Sequence, residues 1–474
     1  MAVDSVRQGT VSQDIRDLAA ALMARERQPI QLLEARRNEL SQRASILNTL
    51  KTRLSALRTA ADALSGVGTL SPFAAKVAGS SDTNVLGASA TASAAAGALA
   101  VTVQQLARRA THASDVFTDI GTAISSGGVG TFNFTVTIAG TAHPVTVTVT
   151  AGETDKTILD NIATAITAAV ASAGSAVRIQ TETGKSRLSV ASGATGTSNK
   201  LTFTDTDGLL ARIGLYKASP TAATDTTGGY VYEDLGGHEL DSKLLVDGFT
   251  YYRESNDVSD LISGVTLNLK TTSASQVNVK IGPDSGTSLD KLKDFIAKYN
   301  DVLDYLNQNT FVDAKAGTRG VLRNDPLFAG LAGQMRTLLA QRVTSQPSGA
   351  VDQLGVLGVV TDRDGKLSIK NEAELKGKLE SSPATVATLF NATDGLATRL
   401  ETFVESFTKT SGQIATSQNQ LTLRINGFKS QIERMNARLD LRQAKLEDQL
   451  ARNQAILQNL ARQQSFIASI TSVI

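Results

Sequence analysis

Cysteine is absent from the 474 residues, which excludes disulfides and thiolate metal sites. Tryptophan is absent too, and aromatic residues make up only 4%. Any core must therefore be built from Leu, Val, Ile and Ala, and gains less per buried residue than an aromatic-rich one. Charge of one sign is also lacking. A net charge of +2 is too near neutral to attract nucleic acid or a membrane surface by electrostatics alone. No apolar run of about 7 to 15 residues follows a basic start, so no secretory signal peptide is expected. No window holds about 18 apolar residues, so no membrane insertion is expected either. A chain of this kind is soluble, and would leave the cell only by a route that needs no cleaved signal. Its length is a soft prior for about three domains.

Catalytic chemistry is equally sparse. The three histidines, His112, His143 and His238, fall in different segments without metal-ligand spacing, and each reads as a surface or satisfied core residue. TGKS at 183–186 ends like a phosphate-binding loop, but the glycine such a loop needs at position 179 is Ile179 and the segment beyond is strand-like, so a hairpin turn is the better reading. DTDG at 205–208 and DRDG at 362–365 imitate the start of a calcium loop. Neither is followed by the closing glutamate, and Asp-Gly between two strands is common hairpin chemistry. The basic pairs Arg36–Arg37 and Arg108–Arg109 are too short for a nucleic-acid groove and lack aromatic platforms. No catalytic, metal or cofactor-binding residue is assigned, and the chain is read as no enzyme.

The strongest positive signal is a stripe near the C-terminus. Counting in sevens from Ile425 gives Ile432, Leu439, Leu446, Asn453, Leu460, Ile467 and Ile474, apolar at all but one step. No proline and no glycine after Gly427 interrupts it, and such a helix would span roughly 70 Å. The companion series is weaker: Phe428, Met435, Ile456 and Ile470 alternate with Arg442, Gln449 and Gln463. A one-stripe helix wants a partner, and the other end of the chain offers one. Leu33, Leu40, Leu47, Leu54 and Ala61 recur in sevens, with Leu50, Leu57 and Leu64 as companions, which is a heptad seam. The polar steps weaken the second seam, so association should be partial and exchangeable.

Between the ends the period changes. A helical pattern runs from about residue 14, is expected to break at Pro29, restarts, and stops at Gly66 and Gly68. Residues 71–110, rich in Ser, Ala, Thr and Gly, read as a crossing linker that becomes strand only at 99–103. Period-two alternation around a turn near Gly140 signals a hairpin. An amphipathic helix follows over 157–174, then strands at 177–192 and 199–208. Further strands at 243–255, 261–270 and 275–282 need an added partner, and the strand at 99–103 is the natural one. Helical spacing returns at 288–310 and continues, with one hairpin near 354–370, to the terminal helix.

The expected fold class is therefore multidomain α+β, with paired terminal coiled-coil helices and a helical body carrying two nested β-rich head domains. The expected division is 1–42 with 432–474 as a flexible leg and 43–79 with 286–431 as the body. Residues 80–115 with 231–285 form a first head, and 116–230 an inserted second head. Residues 1–13 are expected to be disordered, and the legs to be disordered in the isolated protein.

Several stretches then fit one family in order: ALMARERQPIQLLEARRNEL, LSPFAAKVAGSSDTNVLGASATASAAAGALAVTVQQLARRA, VDGFTYYRESN, DVSDLISGVTLNLKTTS, LGVLGVVTDRDGKLSIKNEAELKGKLESSPATVATLFN, and the long passage beginning GLATRLETFVESFTKTSGQIATSQNQ. The chain resembles the flagellar hook-associated protein 2 family, the bacterial filament caps. That resemblance implies a homo-oligomeric ring at the distal, extracellular end of the growing flagellum, with the terminal coiled coils as legs in the filament end and the heads as a plate above it. It implies that exported flagellin is retained beneath the plate, folds and inserts into the filament. The partners it implies are other copies of the chain, flagellin, hook–filament junction proteins, the type III export apparatus and an export chaperone that binds the C-terminal region. An alternative is a surface adhesin that binds mucin or host glycan through the distal heads.

Overall fold

The structure, a computed structural model, describes residues 13–471 apart from positions 314, 316, 348 and 349. The expectations for residues 1–12 and the seam position Ile474 lie outside the described residues. The chain divides into two compact units, Met1–Val67 with Gly286–Ile474, and Gly68–Ser285.

The first unit is helical. Its longest elements are the N-terminal helix Gln13–Ser65 and the C-terminal helix Gln413–Thr471, with Ser285–Thr310 and Leu396–Thr408 between them. Leu47, Leu50, Leu54, Leu57 and Leu64 are fully buried, on the part of the N-terminal helix that packs against Leu396–Thr408 and Pro383–Asn391. The three-four leucine spacing puts all five on one face, and each buried Leu contributes about 1.5–3 kcal/mol. Polar contacts fix the register of this helix: Arg43 reaches Asp325, Arg53 reaches Asp301, and the Tyr305 hydroxyl donates to the Ile46 carbonyl at 3.2 Å.

The expected break at Pro29 does not occur, because the helix is continuous from Gln13 to Ser65 with Pro29 inside it. A proline removes one intrahelical hydrogen bond, but Met23 and Ile30 on either side both bury against the C-terminal helix. Packing carries the helix across the defect.

The second unit is built of antiparallel sheets. The expected linker over 71–110 is largely strand: Lys76–Ser80, Leu86–Ala90 and Gly97–Gln105. Its small residues are weak strand formers alone, but pairing decides strand formation more than intrinsic preference does. Gly97–Gln105 lies between Val277–Pro283 and Ser242–Val246, with Val101 opposite Val277 and Val103 opposite Leu244. This is the partnership expected from the sequence. Lys76–Ser80 and Phe249–Arg253 complete a five-stranded sheet, and Asp257–Ile262, Val265–Leu269 and Leu86–Ala90 form a second. Val101, Val103, Leu244, Val258, Leu267 and Val279 fill the core they share.

The inserted part, inside residues 111–232, has its own core. Gly130–Ile138 and Thr141–Val149 form the expected hairpin, with Ala139 at φ 53° and Gly140 at φ 76°, two positive values that match a type I′ turn. The helix Asp155–Val170 buries Ile158, Leu159, Ile162, Ile166 and Val170 against the sheets, and the Thr154 hydroxyl caps it by accepting from the Thr157 amide. TGKS closes the hairpin between Gly174–Glu182 and Lys185–Ser192, with Gly184 at φ 76°. DRDG turns between Val359–Thr361 and Leu367–Ile369 as expected. DTDG does not join two strands: Gly208, at φ 79°, leads from strand Leu201–Asp205 into the short helix Leu209–Arg212. The Asp205 carboxylate accepts from the Ala211 amide at 2.7 Å, which makes the turn a helix start.

Candidate functional site in the paired terminal helices

The N-terminal helix runs towards the buried leucines of the body, whereas the C-terminal helix starts there, at buried Ile414, and runs away. The two are therefore antiparallel. Away from the body they close over a small apolar cluster in which Met23 and Ile30 meet Ile432 and Leu439, with Leu33, Met435 and Leu446 partly buried around it. Arg442 Nη2 lies 2.9 Å from Glu26 Oε1, and Arg27 Nη2 donates to Gln443 Oε1 at 2.9 Å. Gln443 in turn donates to Glu447 at 2.9 Å. Arg442, a polar interruption of the second seam, thus serves as the cross-helix ion pair.

The fifteen described seam positions fall into separate environments. Leu47, Leu50, Leu54, Leu57 and Leu64 belong to the body core. Leu33, Ile432, Met435, Leu439 and Leu446 form the helix–helix contact. Leu40, Ile425 and Phe428 are half-buried. Leu460 is 49% exposed and Ile467 62% exposed. Met23 and Ile30, which complete the contact, are missing from the sequence-derived seam. Counting back seven from Leu33 lands on Glu26, and the signal was the separate seven-residue step from Met23 to Ile30.

Geometry accounts for the change from buried to exposed. Gln13 lies 13 residues before Glu26, whereas Thr471 lies 29 residues after Arg442. The described part of the N-terminal helix reaches only to about the middle of that last stretch. Beyond it, among the described residues, Ile456, Leu457, Leu460 and Ile467 are 56%, 66%, 49% and 62% exposed. Among the described residues, one apolar stripe is thus buried over its first half and more exposed over its second.

Elsewhere polar groups serve structure. Lys185 Nζ, at the phosphate-loop lysine position, pairs with Glu182 at 3.0 Å, and the Ser186 hydroxyl donates to Asp119 at 2.6 Å. His112 Nε2 lies 2.5 Å from Glu233 Oε2, His143 Nδ1 lies 3.1 Å from the Ala169 carbonyl, and His238 Nδ1 lies 2.6 Å from Asp241 Oδ2. No group of three or more His, Asp or Glu able to hold a metal occurs among the described residues, and no described helix is long and apolar enough to cross a membrane. In the body, the Asp394 carboxylate takes hydrogen bonds from the side chains of Ser345 and Thr344 and from their amides, which hold it well below the usual carboxylate range. Burial pushes the Tyr299 phenol up to about 12. A cavity of about 260 Å³ opens in the inserted head, where Phe203, Tyr216 and Tyr230 stand with Lys200 and Lys217 beside the His112–Glu233 pair.

Two family profiles match the chain: flagellar hook-associated protein 2 N-terminus over residues 12–110, and its C-terminus over residues 240–461. The B-type flagellar hook-associated protein 2 of Pseudomonas aeruginosa is 28% identical over 421 residues, covering 86% of this chain and 84% of that one. The flagellar hook-associated protein 2 of Escherichia coli is 24% identical, covering 96% of this chain and 95% of that one. The crystal structure of the D1-D2-D3 domains of the flagellar cap protein FliD from Escherichia coli superposes with a TM-score of 0.57 at 26% identity, over 80% of this chain and 99% of that one. The stretch between the two profiles, residues 111–239, contains the inserted α+β part. With both ends, the fold and the body in agreement, the chain belongs to the flagellar hook-associated protein 2 family, a family of structural flagellar cap proteins and not of enzymes.

Proposed function

We propose that this protein caps the tip of the growing flagellum as a homo-oligomer, retains exported flagellin and promotes its folding and insertion into the filament. Residues 1–42 and 432–474 act as the leg, 43–79 and 286–431 as the body, and 80–115 with 231–285 and 116–230 as two heads. The observation that carries this reading is the half-open stripe. Ile432 and Leu439 are buried in the chain's own helix pair, whereas Leu460 and Ile467 on the same heptad are exposed. A helix of this kind is held to its own body at one end and offers apolar surface to subunit helices at the other. Flagellin and the hook–filament junction proteins at the filament end supply that surface, and before export a chaperone covers it. The test is deletion of residues 432–474. The remaining protein should fold but support no filament growth, and normal filaments from the deletion would sink the leg assignment.

A second role, adhesion to mucin or host glycan, is supported by the cavity of the inserted head, where Tyr216 and Tyr230 offer aromatic surface to a sugar ring and Lys217 and Glu233 offer polar partners to its hydroxyls. Immobilised mucin should retain the purified protein and lose it on Tyr216→Ala with Lys217→Ala. No retention of the unaltered protein removes this role.

A further inference from the structure

The two β-rich parts of the second unit share no core residue. One apolar cluster contains Phe134, Ile162, Val190 and Leu240, the other Val103, Leu244, Leu267 and Val279. Besides the chain itself, polar contacts join them: Gln105 Nε2 donates to the carbonyls of His238, Glu239 and Asp241, the Arg108 amide donates to the Leu240 carbonyl, and one loop reaches across from the inserted part. Residues 193–199, between strand Lys185–Ser192 and strand Leu201–Asp205, reach onto the residues that follow strand Phe249–Arg253.

Glu254 is the centre of this contact. Its carboxylate accepts from the Ser198 amide at 3.1 Å and from the Ser198 hydroxyl, while its backbone carbonyl accepts from the Thr195 hydroxyl. Between these two anchors the loop lies almost on the Glu254 backbone: a Cβ at Gly196 would fall 2.3 Å from Glu254 Cβ and 2.6 Å from its Cα. Gly196 also has φ 96°, so that only glycine satisfies both the conformation and the approach. A second anchor lies alongside. The Thr197 amide donates to Asp241 Oδ1 at 2.8 Å, and the other oxygen of this buried carboxylate holds His238 at 2.6 Å. His238 has φ 72°, uncommon for a non-glycine residue, and stacks on Tyr252 at 4.2 Å and 15°. Below the loop, Asn256 takes both backbone groups of Ala107, accepting at 2.7 Å and donating at 3.0 Å.

We propose that the loop 193–199 is a clamp that sets the angle of the inserted head on the first head through Glu254 and Asp241. When the clamp is closed the two heads move as one body. When it is released, each keeps its core and the inserted head swings on its two connecting segments near residues 107–110 and 233–240. The clamp is built from hydrogen bonds, exposed at Glu254 and part-buried at Asp241, and adds no residue to either apolar core, so it opens at lower free energy than either core unfolds. This inference does not rest on the cap assignment, since it concerns the geometry of the heads alone.

The absence of cysteine makes the test direct. Lys156→Cys in the inserted head and Thr272→Cys in the first head, both at exposed positions, carry spin labels in the full-length protein as the only thiols. The otherwise unaltered protein should give one narrow distance distribution. Gly196→Val, which cannot approach Glu254, and Glu254→Ala, which removes the carboxylate anchor, should each broaden it about twofold. Slow amide exchange at Ile162 and Val279 should persist. A broad distribution before either substitution, or the original width in Gly196→Val with both cores still protected, overturns the proposal. If Gly196→Val does not fold, Glu254→Ala decides alone: unchanged width overturns the clamp, and broadening supports it.

Discussion

Arg442 Nη2 stands 2.9 Å from Glu26 Oε1 across the two terminal helices, beside the apolar contact of Met23 and Ile30 with Ile432 and Leu439. Both side chains are partly in solvent, so the pair contributes only about 0.2–1 kcal/mol and is screened by salt. Its larger effect is on register, because like charges placed there repel. Glu26→Arg should speed amide exchange around residues 23–33, and the double exchange Glu26→Arg with Arg442→Glu should restore protection. Equal exchange in all three proteins would show that the pair has no part in the alignment.

The apolar contact beside it contributes more. Leu439 is 8% exposed, and Leu439→Ala removes most of a buried side chain, at about 2–3 kcal/mol. That loss should appear as faster exchange in the outer halves of the two helices and leave the leucine core at 47–64 unaffected. Uniformly faster exchange through the body would instead mean that leg and body open together.

Pro29 separates what the sequence states from what packing decides. A helix-interior proline is about 3 kcal/mol less favourable than alanine, which is why a break is the natural reading. Met23 and Ile30 outweigh it by closing on Ile432 and Leu439, a contact invisible until the partner helix is in register. Pro29→Ala should therefore slow exchange over residues 20–35 without moving the helix ends. No slowing would mean that the backbone already recovers the missing bond elsewhere.

The same division holds through the chain. The hairpin at Ala139–Gly140 and the helix Asp155–Val170 were legible because turn chemistry and apolar period are local properties. The strands Lys76–Ser80 and Leu86–Ala90 were not, because Ala, Gly and Ser become strand only when Val277–Pro283 and Val265–Leu269 pair with them. The leucines at 47–64 read as a coiled-coil seam because a heptad cannot reveal whether its partner is one helix or a whole body. The clamp at Gly196 left no signal, since neither a glycine in a Ser/Thr-rich loop nor Glu254 announces contact with the other.

Asp394 gives the body a pH-dependent element. Its carboxyl is held below the ordinary value of 3.8, chiefly by the Ser345 and Thr344 side chains. A carboxylate with a depressed folded-state pKa contributes stability that is fully present above the unfolded value and is lost as pH falls through the folded one. Asp394→Asn should therefore lower the urea midpoint most at neutral pH, with the gap narrowing progressively below pH 3.8. A gap that stayed constant down to strongly acidic pH would assign the effect to lost geometry and not to charge.

The open half of the stripe separates folding from assembly. Leu460 and Ile467 are 49% and 62% exposed, so Leu460→Ser with Ile467→Ser takes neither side chain out of a buried core, and the stability change should stay within about 0.5 kcal/mol. If these side chains enter helices of the filament end, each loses the transfer of an apolar side chain out of water in the assembled state, about 1.5–3 kcal/mol per residue. A cap that grips this weakly should detach during growth. Filaments should be short or absent, and unpolymerised flagellin should accumulate in the medium, while the purified protein melts at its original temperature. Leu439→Ala should show the opposite pattern, with local opening in the isolated chain and a smaller effect on filament length, because its neighbours lie within its own helix pair. Full-length filaments from the double serine variant would mean that the exposed stripe meets no filament helix, and a lowered melting temperature would mean that it already has a partner in the free protein.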